Sequence, residues 1–367
     1  MRNMLRRILQ RQVLDEQDRR LIVRSVYLAN LDRLPDALGE QEYSDALRKG
    51  LSVRSFVDII VASEEFRKRN GLAAQTPPTS SDCIVMGTNI RLTRQTWEDR
   101  RREIARQPIA PPAAPVPLAE RRFRQSGAFD VTAIASLYMG GRYLENFLEN
   151  LTSQTNFDRA ELIFIDACSP GGEAELIQRY QAVYPNIVYR RINFRIGVYE
   201  AWNEAIGLAR GRFLTNTNLD DLRRRDCLEL QAAALDRNPG VDVVYQDVLY
   251  TLDPPSTFDA AERFGFRSRT QPVTFDTLLI TNWPHSAPMW RKRLHDEFGL
   301  FDQSYRSAGD YEFWLRCLHR GKSFLRLDEA LAVYYHNPEG VSTAALSQGD
   351  EEGVRIQRAY MRKFGIH

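Results

Sequence analysis

The sequence predicts an α/β protein, in which a mostly parallel sheet is flanked by helices and preceded by a small all-α N-terminal domain. From residue 129 onward, short apolar runs alternate with stretches of helical periodicity, which is typical of a parallel sheet covered on both faces. Before it, residues 18–71 keep the helical period between Gly and Pro breaks. We therefore expect a helical domain at 1–71, a linker at 72–128 and the sheet domain at 129–367.

The composition excludes several classes of protein. With 50 basic and 48 acidic residues, the net charge of +2 gives no field that would attract nucleic acid, so we expect no such partner. The four cysteines form no C-x-x-C pair, which argues against a zinc ribbon or a disulfide framework and fits a reducing cytoplasm. No run approaches the ~18 apolar residues of a membrane-spanning helix, and no export signal is recognisable.

The first thirteen residues form an amphipathic pattern. Met4, Leu5, Ile8 and Leu9 recur at helical spacing, with arginines largely elsewhere. Such a stretch predicts either peripheral contact with an anionic membrane at its inner face, or a solvated helix that packs one side on its own domain. A contact with a partner protein is a third use of this N-terminal region.

Residues 32–66 resemble a known helical domain of unknown function, likened to phycobilisome linker repeats, which occurs in many bacterial surface and glycosylation proteins. The resemblance rests on Arg33, Pro35, Asp36, Gly50 and the S-E-E-F ending at 63–66. It implies an interaction or spacer role, since the segment has neither a His cluster nor a Gly-rich loop.

The stretch from 72 to 128 changes character. Its runs at 76–82 and 107–120 are rich in Pro, Ala and Ser, which stiffen a chain without forming a core. Between them, residues 93–107 predict a short amphipathic helix. A linker between two self-contained cores predicts that the C-terminal part folds without the helices.

Four strands are expected in the first part of the sheet domain, at 131–137, 161–166, 187–192 and from 213. Polar side chains follow the last three of them: Asp166, then Asn193 and Arg195, then Asn218, Asp220 and Asp221. Because ligands of a parallel sheet lie beyond the carboxyl ends of its strands, these groups converge on one edge. Taken singly, each of these residues is also typical of a turn or of a helix cap. Together they predict a nucleoside-diphosphate site with a metal, since neither a G-x-G-x-x-G nor a P-loop pattern is present.

The metal prediction rests on the segment 215–221. On an extended backbone Asn218 and Asp220 point the same way while Asp221 turns aside. Hard oxygen donors of this kind suit Mg²⁺ or Mn²⁺. His336 is a further candidate ligand of the metal or the diphosphate, and His285 a candidate on the acceptor side, although a structural role is open for both.

Residues 129–345 resemble a family 2 glycosyltransferase of the GT-A fold. The segment 131–151 is similar to the family's opening strand and helix, and 163–172 stands where the family has a strand ending in D-D-x-S. Residues 190–221 follow the pattern of a helix that precedes the metal-binding D-x-D, and 298–343 resemble the closing segment with its E-D-x-x-x-W-x-R helix.

This resemblance implies site roles position by position. Asp166 would contact the base or ribose of the donor nucleotide, and Asp220 would ligate the metal that bridges the diphosphate. Asp310 matches the catalytic base, and its alternative is a cap of its own helix. Trp314 and Arg316 match the helix behind that base, where packing is the simpler interpretation for Trp314.

Three positions depart from the family pattern. Ala167 replaces a second Asp, Asn218 replaces the first Asp of D-x-D, and Gly309 stands where the family has a Glu before the base. The implied activity is a metal-dependent, inverting transfer of a sugar from a nucleoside-diphosphate sugar to a hydroxyl of a glycan or lipid-linked saccharide, in bacterial polysaccharide or glycoconjugate synthesis. The alternatives are a catalytically silent sugar- or nucleotide-binding subunit and a sugar nucleotidyltransferase.

Overall fold

The computed structural model describes residues 16–31, 33–49, single positions between 51 and 66, 83–85, 92–107, 116–343 and 349–363. The amphipathic stretch 1–13 and Gly50 lie outside the described residues, as do 76–82 and 108–115 of the two Pro-rich runs. None of the helices in these described parts is both long and apolar enough to cross a bilayer.

Twelve α-helices are given by the described residues. They are α1 (Glu16–Leu31), α2 (Ala37–Arg48), α3 (Arg94–Ala105), α4 (Gly141–Thr152), α5 (Glu173–Gln181), α6 (Val198–Leu208), α7 (Cys227–Arg237), α8 (Phe258–Phe264), α9 (Phe275–Ile280), α10 (Arg293–Phe298), α11 (Gly309–His319) and α12 (Gly349–Lys363).

The strands form one large sheet and one short hairpin in the same parts of the chain. They are β1 (Cys83–Val85), β2 (Leu92–Thr93), β3 (Val131–Leu137), β4 (Ala160–Ala167), β5 (Ile187–Ile192), β6 (Phe213–Asn216), β7 (Leu222–Arg223), β8 (Val243–Thr251), β9 (Arg267–Ser268), β10 (Met289–Arg291) and β11 (Phe324–Tyr335).

The large sheet has the order β5-β4-β3-β6-β10-β8-β11-β7, with β9 beside β8. Its long pairings are parallel: β5 with β4, β4 with β3, β3 with β6, and β8 with β11. The antiparallel pairings of β10, β7 and β9 are only two or three residue pairs long. The predicted α/β class is confirmed, and the short antiparallel insertion of β10 is a feature that the strand patterns did not predict.

The register brings the strand ends to one edge of the sheet. Leu137 of β3 pairs with Asp166 of β4, and Asp166 pairs with Arg191 of β5. Ile134 pairs with Asn216, the last residue of β6. The loops after these four strands therefore start side by side, and we call this edge the rim.

Alternate residues of the strands enter two hydrophobic clusters, one on each face of the sheet. In β4, Ile163 and Ile165 belong to one cluster, whereas Leu162 and Phe164 belong to the other. This two-residue period follows from the pleat, which turns successive side chains to opposite faces. Trp314 lies in the first cluster with 1% of its surface exposed, so its packing role is supported.

The N-terminal helices contact the sheet domain directly. One side of α1 packs with α2 around Ile22 and Val26, while Leu21 and Leu28 pack against Trp283 and Tyr245 of the sheet domain. These two domains thus share a hydrophobic contact, and the boundaries at 71 and 128 stay a prediction.

The helix expected between 93 and 107 is present as α3. Thr93 caps it through a reciprocal capping box with Thr96. Trp97 is buried and stacks on Phe264 with ring centroids 4.1 Å apart, and its indole N–H donates to Asp253 at 3.0 Å. This part of the region predicted as a linker is therefore packed onto the sheet domain.

Candidate functional site

Asp166 is fully buried at the end of β4. Its Oδ1 accepts the backbone N–H of Ser169 at 2.7 Å, which is the geometry of a turn-forming Asp. Its Oδ2 accepts from the Tyr189 hydroxyl at 2.5 Å and from Arg191 at 2.7 Å. Burial, followed by the Asp166 carboxylate, raises the pKa of Tyr189 to about 12, so this hydroxyl stays a donor. Both carboxylate oxygens of Asp166 already accept hydrogen bonds, so the geometry supports a role for Asp166 in positioning the rim loops. Its direct contact with the donor nucleotide remains a prediction.

Asn193 and Arg195 follow β5 at the rim and are exposed. The Arg195 guanidinium lies 3.5 Å from the centroid of Tyr138, which belongs to the loop after β3. Phe194, between Asn193 and Arg195 in the sequence, has 63% of its surface exposed. An arginine stacked on an aromatic ring next to an open aromatic surface can contact both the phosphates and the base of a nucleotide.

Asn218, Asp220 and Asp221 lie in the segment after β6, where residues 219 and 220 form a turn instead of the predicted extended backbone. The Asn218 amide donates to Oδ2 of Asp221 at 2.9 Å, and Oδ1 of Asp221 accepts the backbone N–H of Tyr335 at 3.0 Å. Oδ2 of Asp220 accepts from Asn337 at 2.8 Å. Within the described parts of the chain, these bonds leave the Oδ1 atoms of Asn218 and Asp220 for an added ligand. Asp221 instead ties the segment to β11.

Electrostatics favours a cation at this place. Burial, with the neighbouring Asp220 charge as the next cause, raises the pKa of Asp221 to about 8. A divalent cation beside the pair would offset this repulsion. One carboxylate oxygen and one amide oxygen are hard donors that fit Mg²⁺ or Mn²⁺, which keep most of their positions for phosphate and water. The residues therefore fit the predicted metal.

The two histidines do not join this group. Across the described residues, no three His, Cys, Asp or Glu side chains are arranged to hold a metal ion, so His336 does not complete a set with Asp220 and Asp221. Burial and then the nearby Arg94 charge lower the pKa of His336, and this positive charge also disfavours a metal cation beside the ring. The prediction of His336 as a metal ligand is therefore not supported.

His285 lies in an aromatic cluster. Its Nε2 is 2.9 Å from the Tyr250 hydroxyl, and its ring also contacts that of Tyr334 at 5.5 Å. Burial lowers the pKa of His285 to about 4, so it is neutral near pH 7. The structure supports the structural role that was left open for this residue.

Asp310 lies in the first turn of α11. The N-cap position of that helix is Ala308, so the interpretation of Asp310 as a helix cap is wrong. Its Oδ1 accepts from the Tyr199 hydroxyl at 2.9 Å and its Oδ2 accepts from the Asn282 amide at 2.8 Å. Burial raises the pKa of Asp310, while these two donors act in the opposite direction because they bind the ionised form.

One ring connects the two halves of the site. Burial raises the pKa of Tyr334, and the carboxylates of Asp221, Asp220 and Asp310 each raise it further. All three acids therefore lie near this tyrosine on β11. Tyr334 therefore lies within electrostatic range of both the oxygen-rich segment and the Asp310 carboxylate.

Several residues around Asp310 were missed from the sequence. Tyr199 comes from α6, Asn282 from the loop after α9, and Glu352 from α12. The Glu352 carboxylate accepts the backbone N–H groups of residues 306–308 at 2.8–2.9 Å. Nothing in its local sequence marks Glu352, since it is one of several acidic residues on a surface helix.

Part of this site lies in a segment that matches a known protein family. Residues 132–298 match the model of glycosyl transferase family 2. This match covers slightly less than half of the chain and indicates a family 2 glycosyltransferase domain at residues 132–298. The matched segment includes the rim, Asp166 and the segment with Asp220, whereas Asp310 lies beyond its end in the chain.

Relatives of the glycosyltransferase domain agree with this assignment. An uncharacterized glycosyltransferase of Methanocaldococcus jannaschii is 22% identical over 195 residues, 53% of this chain and 66% of that protein, just under two thirds of its length. The putative teichuronic acid biosynthesis glycosyltransferase TuaG of Bacillus subtilis is 28% identical over 56% of this chain and 78% of its own. The structure of S. aureus TarS 1–349 in complex with UDP-GlcNAc shares the fold, with a TM-score of 0.52 and 20% identity over 64% of this chain and 66% of that one.

Proposed function

We propose that this protein is a metal-dependent, inverting glycosyltransferase. It moves a sugar from a nucleoside-diphosphate sugar to a hydroxyl of a glycan or lipid-linked saccharide in bacterial polysaccharide or glycoconjugate synthesis. The observation that carries the proposal is Asp310, an ionisable carboxylate held by two donors, whose charge acts on the same tyrosine, Tyr334, as the charge of Asp220.

Asp310 has the properties of a general base. Its carboxylate is oriented by Tyr199 and Asn282, and burial raises its pKa from that of an exposed Asp. A base of this kind takes the proton from the acceptor hydroxyl as the oxygen attacks the anomeric carbon. Attack on the face opposite the departing diphosphate inverts the configuration, and it needs only this one carboxylate near the acceptor.

The donor end is assigned to the rim. Asp220 and Asn218 would hold Mg²⁺ or Mn²⁺ through their Oδ1 atoms, and Arg195 with Tyr138 offers a cationic, aromatic surface for the nucleotide. The bound ion would offset the negative charge that develops on the departing nucleoside diphosphate. Asp166 keeps the loop after β4 in place through its three hydrogen bonds.

The relatives support the substrate class. TuaG is named for teichuronic acid biosynthesis, and TarS, which shares the fold, was crystallised in complex with UDP-GlcNAc. We therefore begin with uridine diphosphate sugars as donors.

The test is release of nucleoside diphosphate from a panel of donor sugars in the presence of Mn²⁺ and of a saccharide acceptor. We expect release that depends on the metal and is lost in Asp310→Asn. A protein that binds the donor, as judged by a thermal shift, but releases no nucleoside diphosphate would contradict the enzyme and favour the silent binding subunit.

A further inference from the structure

Gly309, directly before Asp310, has no room for a side chain. A Cβ built there would lie 2.8 Å from two carbons of the Tyr199 ring, closer than real Cβ contacts. The φ angle of Gly309 is outside the left-handed region, so its backbone does not require glycine. The tyrosine ring, not the backbone conformation, is what excludes a side chain at position 309.

Tyr199 is held rigidly in that place. Only 3% of its surface is exposed, and its ring packs edge-on against Trp202 with centroids 5.3 Å apart. Phe301 contacts the ring from a second side at 5.8 Å. A buried ring fixed on two sides can set the direction of its hydroxyl, and that hydroxyl donates to Oδ1 of Asp310.

The Tyr199 hydroxyl stays a donor. Burial, followed by the Asp310 charge, raises the pKa of Tyr199 well above its usual value. It therefore remains protonated near neutral pH and can donate to the Asp310 carboxylate. Asn282 fixes the second oxygen of the same carboxylate, so the two donors together leave Asp310 one orientation.

The departure at Gly309 thus has a counterpart elsewhere in the chain. Where the family pattern has a Glu next to the base, this chain has no side chain, and an aromatic hydroxyl from α6 reaches the base instead. We propose that Tyr199 is the positioning residue of the base: its ring takes the volume of a side chain at 309, and its hydroxyl orients the Asp310 carboxylate. The proposal rests on the function proposed above.

Tyr199→Phe tests the hydroxyl. The ring and its packing stay, so we expect a nearly unchanged melting temperature and donor KM with kcat lowered about tenfold, the size of one lost hydrogen bond to a charged group. Because the ionised base is the active form, the rate falls as the pH drops through the pKa of Asp310. Loss of a donor raises that pKa, so the acid limb of kcat/KM should move to higher pH.

Tyr311→Phe is the matched control. This tyrosine is buried in the same cluster and its hydroxyl donates to the Leu279 carbonyl rather than to a carboxylate. We expect the acid limb of the kcat/KM profile of Tyr311→Phe to stay at the pH of the native protein. An unmoved limb and unchanged kcat in Tyr199→Phe, or an equal shift in both variants, would overturn the role of the hydroxyl.

A second experiment needs no activity. Gly309→Ala should lower the melting temperature in the native background and lower it less in a Tyr199→Ala background, where the ring is gone. Equal decreases in melting temperature in the two backgrounds would show that the Tyr199 ring does not occupy the space of a side chain at position 309. If the native protein transfers no sugar, both the proposed function and the catalytic role of the Tyr199 hydroxyl are overturned. The melting temperatures of these variants would still test whether the Tyr199 ring fills the space of a side chain at position 309.

Discussion

The carboxylate of Glu352 lies 2.9 Å from the backbone nitrogen of Ala308, the N-cap residue of the helix that carries Asp310. The same carboxylate accepts the N–H groups of Arg306 and Ser307. The C-terminal helix α12 thus fixes the loop that leads to the proposed base, a loop whose own residues provide no side-chain cap.

Glu352→Gln should destabilise this loop. It removes a charge-assisted acceptor from three backbone donors, so we expect the free energy of unfolding to fall by about 1–3 kcal/mol. Sugar transfer should fall as well, because Asp310 follows the loop directly. Denaturant unfolding and initial rates measure the two effects. The control is Glu351→Gln, at an exposed neighbour on the same helix, for which we expect a smaller change.

Asp310→Asn should separate catalysis from binding. The amide keeps the size of the side chain and removes its basicity, and a general base contributes typically 10²–10⁴-fold in rate. We expect transfer to fall at least about a hundredfold, with nucleotide affinity and melting temperature nearly unchanged. Undiminished transfer would exclude Asp310 as the base.

Asp220→Asn should remove the metal response. Since Asp220 is the proposed charged ligand, a nucleoside diphosphate with Mn²⁺ should no longer raise the melting temperature, although the fold persists. Asp259→Asn, on the exposed side of α8, is the matched control and should keep the full shift. If Asp220→Asn keeps it too, the ligand assignment is wrong.

Trp97→Ala tests whether residues 92–107 belong to the sheet domain. The buried indole stacks on Phe264 and bonds to Asp253, so its loss should cost about 3–5 kcal/mol of unfolding free energy. Trp97→Phe, which keeps a ring against Phe264, should cost less. An independent linker would instead leave unfolding of the sheet domain unchanged in both variants.

Much of the part of the site that is proposed to bind the nucleotide sugar could be predicted from the local sequence pattern. The alternation of Ile163 and Ile165 with Leu162 and Phe164 indicates a strand buried on both faces, and in the structure these pairs lie in separate clusters. Once the strands are parallel, their carboxyl ends share one edge, so polar residues that follow them must meet. The grouping of Asn218, Asp220 and Asp221 needed no further information.

The surroundings of Asp310 were decided only by the tertiary structure. Tyr199 and Asn282 reach it from 111 and 28 positions away, and Glu352 supports its loop from 44 positions beyond Ala308. Local sequence periodicity specifies which face of an element is apolar, but it does not specify which distant element packs against that face. For the same reason the burial of Asp166, whose carboxylate is shared by neighbouring segments, was not evident from a motif that is equally typical of an exposed ligand.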